Sequence, residues 1–316
     1  MVYTKQSRPD YLNGRFQKLK KSLKSEMPLH LMVLPAILFV LIFHYFPIYG
    51  VTLAFKDFSY DLGIFGSEWV GIKHFQSFFS SFYFGRIMKN TILLSLYTIV
   101  FSFPIPICFA LLLNELKNLK LKKILQTVSY FPHFVSVVIV VGIMYTFLSP
   151  AHGIVNVLIT KLGGEPVDFL RQAEWFRFLY VVTGIWQGFG WNSIIYIAAL
   201  SAIPAELYEA ATIDGANRFQ KVLNITLPGI MPTAVIMLIL SIGGLMNVGF
   251  DKVVLMYSPS IYDVSDIIST YVYRRSLIGG EFSFGVAVGL FNNVINFILV
   301  YSANVLSKKI TDVSLW

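Results

Sequence analysis

Six long apolar segments constrain this chain more than any other feature. They lie at approximately 31–54, 90–113, 124–148, 179–201, 229–250 and 284–306. None contains Asp, Glu, Lys or Arg, and His44 and His133 are the only potentially ionisable residues noted within them. Each is close to the roughly 20 residues that a helix needs to cross a bilayer core. A lipid interior leaves no water to satisfy backbone N–H and C=O groups, so such segments must be helical. The fold class predicted is an all-α membrane protein with six transmembrane helices. Composition agrees: 13% of residues are charged, whereas a soluble domain carries about 25%. An ordinary soluble globule is excluded. With 56% hydrophobic residues, a disordered chain is excluded as well. Cys108 is the only cysteine and sits in an apolar run, so no disulfide framework exists. The first segment starts too late and runs too long for a cleaved signal peptide, and no small-residue cleavage site follows it.

The net charge of +8 is placed unevenly. Residues 1–30, 114–123, 202–228 and 307–316 hold fifteen Lys and Arg over 77 positions. Loops 55–89, 149–178 and 256–283 hold nine over 93. Lys and Arg concentrate on the cytoplasmic side of membrane proteins. Both termini and loop 202–228 are therefore expected in the cytoplasm of a multi-pass cell-membrane protein. The basic excess reads as topology and contact with membrane lipid, with no need of nucleic acid. The domains expected are a basic arm over 1–30, a six-span unit over 31–306 and a tail over 307–316. The arm is expected to lie along the membrane as an amphipathic or loosely ordered segment. Pro35, Pro47, Pro104, Pro106 and Pro132 fall within spans. Each removes a backbone donor and predicts a kink. Such kinks serve plain bundle packing or a bundle that changes shape.

Loop 202–228 reads AIPAELYEAATIDGANRFQKVLNITLP. Pro204 ends the preceding helix, Glu206 to Asp214 favours helix, and Gly215 permits a sharp turn. A second short amphipathic stretch, Phe219 to Ile225, follows before Pro228. A connection between two spans needs far less chain, so this loop is expected to dock something. Its residues resemble a known signature. Glu209, Ala210 and Ala211, then Asp214, Gly215 and Ala216, then Phe219, then Ile225 to Leu227 and Pro228 resemble the EAA motif of ABC-importer membrane subunits. The resemblance implies a coupling helix seated in a cleft of a cytoplasmic ATPase. Glu209 would supply charge there, Ala210 and Ala211 would allow close approach, and Gly215 would make the turn. An interfacial helical hairpin without a partner is the alternative.

Further segments extend the resemblance over most of residues 28–316. Phe131-Pro132 resembles an element of sugar-importer permeases, and Gly153 to Asn156 resembles their outer-loop turn. Asp266 to Arg274, Phe291-Asn292 and the ending Ser314-Leu315-Trp316 resemble the lipoprotein-associated polysaccharide permease branch. The implied fold is the type I ABC importer permease core of the maltose-type family. The implied partners are a cytoplasmic ATPase dimer, a second homologous permease, an extracellular substrate-binding lipoprotein and an oligosaccharide. That lipoprotein would dock on loops 55–89, 149–178 and 256–283.

A sugar offers hydroxyl edges and apolar C–H faces, so amides, carboxylates and aromatic rings recognise it. Polar residues inside spans tend to face the bundle interior or a cavity. Candidates are Trp186, Gln187, Trp191 and Asn192 in the fourth span, and Asn247 with Asp251 on one face of the fifth. Asn292, Asn293 and Asn296 lie in the sixth, while Tyr130, His133 and Tyr145 lie in the third. The family resemblance favours His133, Gly188, Trp191, Asn247 and Asp251 as pocket residues. Each has a structural alternative. Asn and Gln often bond across helices, Trp often anchors at an interface, and Asp251 with Lys252 can be a solvated pair.

No GxxxxGK[ST] loop occurs, so ATP and Mg belong to partner ATPases and no cofactor is expected on this chain. No metal-ligand pattern and no catalytic cluster occur, so a transport subunit is expected rather than an enzyme. The rival reading is an ion-coupled secondary carrier for a small polar solute. The absence of Asp and Glu from the spans argues against proton coupling. Sodium coupling through carbonyls stays open. A polytopic sensor has no signalling domain to support it.

Overall fold

The computed structural model describes residues 26–316. Most of the basic arm expected over 1–30 thus lies outside the described residues. The described residues form two compact units, one of 26–53 with 58–67, the other of 54–57 with 68–316. In the first, helix α1 (Met27–Val40) runs on through a π turn at Leu41–Tyr45 and a 3-10 stretch, Phe46–Phe55. Pro47 has no N–H to offer the preceding turn, and the pitch widens just before it. No residue of α1 is buried. A helix this apolar on every side is at home in lipid or against another chain.

The second unit opens with a short antiparallel pair, β1 (Lys56–Asp57) and β2 (Glu68–Trp69), in the register Lys56 to Trp69. Helix α2 (Phe84–Ser102) passes almost directly into α3 (Pro104–Glu115), because a proline at the first helical position gives up only a donor without an intrahelical partner. Helix α4 (Leu119–Tyr130) starts on an Asn118 cap and continues in a 3-10 turn, Phe131–Phe134. After it the chain bends by 96° into α5 (Val137–Leu148). The kink expected from Pro132 is therefore a near right-angle break. Val135 is extended there, and the Ser136 hydroxyl restarts the helix by accepting from the Ile139 N–H.

Helix α6 (Ala173–Ser201) is the central rod of this unit. At Gly190 it touches α4 so closely that a Cβ would stand 2.2 Å from the Ser129 carbonyl oxygen. Helix α7 (Ala205–Ile213) turns away by 68°. Helix α8 (Arg218–Lys221) runs through a π turn, Val222–Thr226, into α9 (Leu227–Gly243). The second short stretch expected before Pro228 is thus continuous with the fifth span. That span does not reach residue 250, because α9 stops at the Gly243-Gly244 pair and α10 (Phe250–Met256) starts afresh. Asn247 lies in the intervening break, so it does not share a helix face with Asp251. The last helix, α11 (Phe282–Thr311), has 30 residues.

Among the described residues, four helical stretches are long and apolar enough to cross a membrane: Met27–Phe55, Phe84–Glu115, Arg218–Gly243 and Phe282–Thr311. The bent pairs α4–α5 and α6–α7 raise the number to six if each counts as one span. Three apolar clusters hold the second unit together. One joins α5, α6 and α10 around Met144, Phe176 and Val253. Another surrounds Phe78, Ile87 and Phe284. The third packs Ala110, Tyr196 and Ile230.

Candidate functional site

The break between α9 and α10 is the key to the interior. Its backbone groups are taken up by side chains of three other helices. The Met246 N–H donates to Asn296 Oδ1 at 3.0 Å, and the Gly249 N–H donates to the Tyr180 hydroxyl at 3.1 Å. Ser95 donates to the Leu245 carbonyl. Irregular backbone at membrane depth is tolerated only where protein buries it or where it lines a water-filled cavity. Here side chains satisfy the freed groups, and a cavity lies beside them. A cavity of about 320 Å³ opens beside the break, lined by Ser95, Thr98 and Ser102 of α2, Asn192 and Tyr196 of α6, Ser241 of α9 and Asn247. Thr98 and Ser241 bond back to their own helices. Among the described residues, Asn192 has no hydrogen-bonding partner, so its amide is available to a guest.

The other candidates divide by place. Asn292 donates to the Met246 carbonyl and to Asn247 Oδ1, both at 3.3 Å, and so holds Asn247 in position. Asn296 is buried and pins the break. Gly188 lies one helical turn before Asn192, where a Cβ would stand 3.2 Å from the Asn192 amide. The imidazole of His133 stacks flat on Trp191, with centroids 4.5 Å apart, and Phe134 meets the same indole edge-on. Trp191 follows a different helix face from Asn192, and this stack does not line the cavity. Gln187 donates from Nε2 to the Val135 carbonyl at 2.7 Å, which secures the break between α4 and α5. Replacing Gln187 by Leu is expected to cost about 1 kcal/mol by orphaning that carbonyl. Thermal unfolding in detergent measures it, and an unchanged midpoint would mean that packing alone holds the bend. Trp186 is half exposed, Tyr145 reaches the Leu255 carbonyl at 3.5 Å, and Asp251 is exposed in the first turn of α10. None of these three lines the cavity. Sequence reasoning overlooked Ser95, Thr98 and Ser102, although their spacing places three hydroxyls on one face of α2.

At the far end of α6 the 202–228 segment forms a rigid hairpin. Gly215 adopts φ +77°, the left-handed conformation that closes a helix end. The Ala216 N–H reaches back to the Ala211 carbonyl at 2.9 Å. Asn217 and Gln220 cap α8 reciprocally, with bonds of 2.8 and 2.9 Å. Lys221 Nζ donates to Thr212 Oγ1, and the Tyr208 and Thr226 hydroxyls meet at 3.1 Å, so the two arms are tied twice. Glu209, Ala210 and Asp214 are exposed, with Ala211 and Ala216 partly covered. Leu227 and Pro228 open α9. Two large apolar side chains point away from the fold: Ile213 is 87% exposed and Phe219 70%. Among the described residues, no contact covers them.

The chain matches the family model described as binding-protein-dependent transport system inner membrane component over residues 102–312. It is 42% identical to Protein LplB of Bacillus subtilis (strain 168) over 98% of this chain and 97% of that one. It is 45% identical to the polygalacturonan/rhamnogalacturonan transport system permease protein YteP of the same organism, over 89% of this chain and 88% of that one. Among solved structures, a bacterial ABC transporter involved in the import of the acidic polysaccharide alginate has a matching chain. That chain is 42% identical with TM-score 0.86, and covers 93% of this chain and 99% of its own. A bacterial alginate ABC transporter in complex with alginate pentasaccharide-bound periplasmic protein also matches, with 41% identity and TM-score 0.86 over 94% of this chain and 100% of that one. The fold is thus shared with transport subunits, and the chain belongs to the binding-protein-dependent transport system inner membrane components, the permease subunits of ABC importers.

Proposed function

We propose that this chain is one permease half of an ATP-driven importer of oligosaccharides or polysaccharide fragments, coupled to a cytoplasmic ATPase dimer through the hairpin over 205–226. The observation that carries this reading is the hairpin itself: a doubly tied, capped frame that presents Ile213 and Phe219 to the outside. Burying such side chains against a partner is worth about 1.5–3 kcal/mol each. Two apolar residues beside exposed Glu209 and Asp214 give an interface core with a charged rim. The Lys and Arg asymmetry supports a cytoplasmic hairpin and cytoplasmic termini. A second permease half would cover the unburied α1, and a substrate-binding lipoprotein would deliver sugar from the extracellular side. ATP binding in the partner would then push on the hairpin and shift the spans between states that bind sugar with different affinity.

Within the cavity, Asn192 is assigned to a sugar hydroxyl, with Asn247 held ready by Asn292. Substituting Asn192 by Leu keeps the side-chain size and removes both the donor and the acceptor. Uptake is expected to fall roughly tenfold, the worth of a hydrogen bond of about 1–1.5 kcal/mol. Measured with labelled oligosaccharide in cells, wild-type uptake by this variant would remove Asn192 from the pathway. An intact Phe219 contact with the ATPase in the same cells keeps the two roles separate.

A further inference from the structure

Near the start of α6, Arg177 joins a polar network whose other arginines are neutralised. Asp266 is completely buried and pairs with Arg274 at 2.7 Å and with Arg86 at 3.6 Å. Arg275 pairs with Glu281. Arg177 pairs with no carboxylate among the described residues. Its Nη2 donates to Asn90 Oδ1 at 3.0 Å, a neutral acceptor. Asn90 in turn donates to the Asp263 and Asp266 carbonyls, each at 3.0 Å. The guanidinium is therefore fixed in place without being neutralised. Its Nη1 has no partner among the described residues and is not enclosed.

Arg177 also lines a groove of about 350 Å³ between α2–α3 and α6, and supplies the only charge in it. Tyr97, Phe101 and Ile105 form one wall at four-residue spacing, and Phe178, Val181, Val182 and Ile185 form the other. Both spacings place the side chains on a single helix face. The α6 wall is roughly 10 Å long at 1.5 Å per residue. Phe101, Phe178 and Val182 are exposed, so the groove is open along its length. The guanidinium reaches Asn90, seven residues ahead of Tyr97 on α2, and so stands at the end of the groove nearest the helix starts. Depth follows from α6. Arg177 and Ser201 stand 24 residues apart on that helix, or roughly 36 Å at 1.5 Å per residue. The hydrocarbon core of a bilayer is about 30 Å thick. With the hairpin at one membrane surface, Arg177 falls at the opposite interface, and the apolar walls run from it into the hydrocarbon. A neighbouring helix could fill the walls, but a carboxylate to match Arg177 is costly at the edge of lipid. A phospholipid brings its phosphate to the interface and its acyl chain below it in one molecule. Guanidiniums hold phosphate oxygens by charge-assisted hydrogen bonds, and basic pockets between spans take anionic head groups.

We propose that this groove binds an anionic phospholipid of the leaflet remote from the hairpin, with its phosphate on Arg177 and one acyl chain between α2 and α6. The site goes beyond the importer reading and does not depend on which solute is carried. Its test uses the full chain assembled with its partner permease and ATPases in nanodiscs. Phosphatidylglycerol and phosphatidylcholine with the same photoreactive acyl chain are compared at equal mole fraction, and labelled residues are mapped by mass spectrometry. Phosphatidylglycerol is expected to label Phe101 and Val182 roughly fivefold more than phosphatidylcholine does. That preference should be absent at Phe297, on the exposed face of α11. Arg177→Gln should bring the two lipids level at the groove, and Arg177→Lys should keep part of the difference, because lysine retains the charge but not the fork. Val182→Trp fills the groove from an exposed position without touching the polar network, and should reduce labelling by both lipids. Equal labelling by the two lipids in the wild-type chain overturns the proposal, as does a preference that survives Arg177→Gln. So does a groove that neither lipid labels while Val182→Cys in a Cys108→Ser chain crosslinks to the partner permease, since the second chain then fills it.

Discussion

A chain carrying Gly215→Trp should reach the membrane in normal amount and yet import almost nothing. Gly215 sits at φ +77°, where an L-residue costs about 1–2 kcal/mol. Nothing lies within 4 Å of a Cβ built there, so the substitution starts from open space and its cost lies in the backbone of the turn and in what the ring obstructs. The spans are untouched, and insertion should be preserved. The effect falls on the turn between α7 and α8 and on whatever packs over it. A tryptophan there would splay the arms that Lys221–Thr212 and Tyr208–Thr226 tie together, and would stand in the contact made by Ile213 and Phe219. Uptake is expected to fall by more than about tenfold, the loss of well over 1.4 kcal/mol of coupling. ATP hydrolysis by the partner should continue without transport. Labelled-sugar uptake alongside ATPase activity in membranes reads both quantities. Undiminished uptake would remove the hairpin from the coupling path.

The second large effect is structural. Removing the Asp266 carboxylate by Asp266→Ala leaves Arg274 and Arg86 without their buried counter-charge. Breaking a buried ion pair from one side costs about 3–5 kcal/mol, most of it the penalty of the orphaned partner. That is comparable with the whole stability margin of many proteins. The protein is expected to fail to accumulate, or to unfold well below the wild type in detergent. Asp266→Asn keeps an acceptor for Thr270 and for one guanidinium N–H, so it should lie between the two. A thermal midpoint unchanged in Asp266→Ala would show that the network is decoration on an otherwise stable bundle.

The long apolar helices and the hairpin were legible in the sequence for plain physical reasons, while the number of spans, four or up to six, was not settled by it. Charge-free runs of about 20 residues have one stable form in lipid. At the hairpin, Pro204, Gly215 and the good helix formers between them act locally, so a helix and a turn could be placed without knowing any neighbour. The breaks were less legible. Pro132 announced a kink, but its size of 96° depends on Gln187, 52 residues away, holding the Val135 carbonyl. The end of α9 at Gly243 depends on Asn296, Tyr180 and Ser95 accepting or donating to the freed backbone. Those partners come from three different helices, and no periodicity within one span encodes them. The interior amides show the same limit. Polarity alone grouped Gln187, Asn192, Asn247, Asn292 and Asn296 as sugar contacts. Packing then divided them into residues that line the cavity and residues that brace it. The ion pairs of Asp266 with Arg274 and Arg86 were not legible, because Arg86 stands on a distant helix and reads alone as an ordinary surface charge.

The most direct test of the account is a site-directed crosslink at the tip of the hairpin. Cys108 is the only native cysteine, so a Cys108→Ser chain carrying Phe219→Cys has one reactive thiol. Phe219 is 70% exposed, and its replacement should leave the fold intact. In membranes of cells that import the oligosaccharide, a short bifunctional reagent at this position is expected to join the chain to an ATP-binding subunit, with a yield that changes when ATP is added. A thiol that reacts freely with a soluble maleimide but captures no ATP-binding subunit, with or without ATP, would contradict the coupling role on which the proposed function stands.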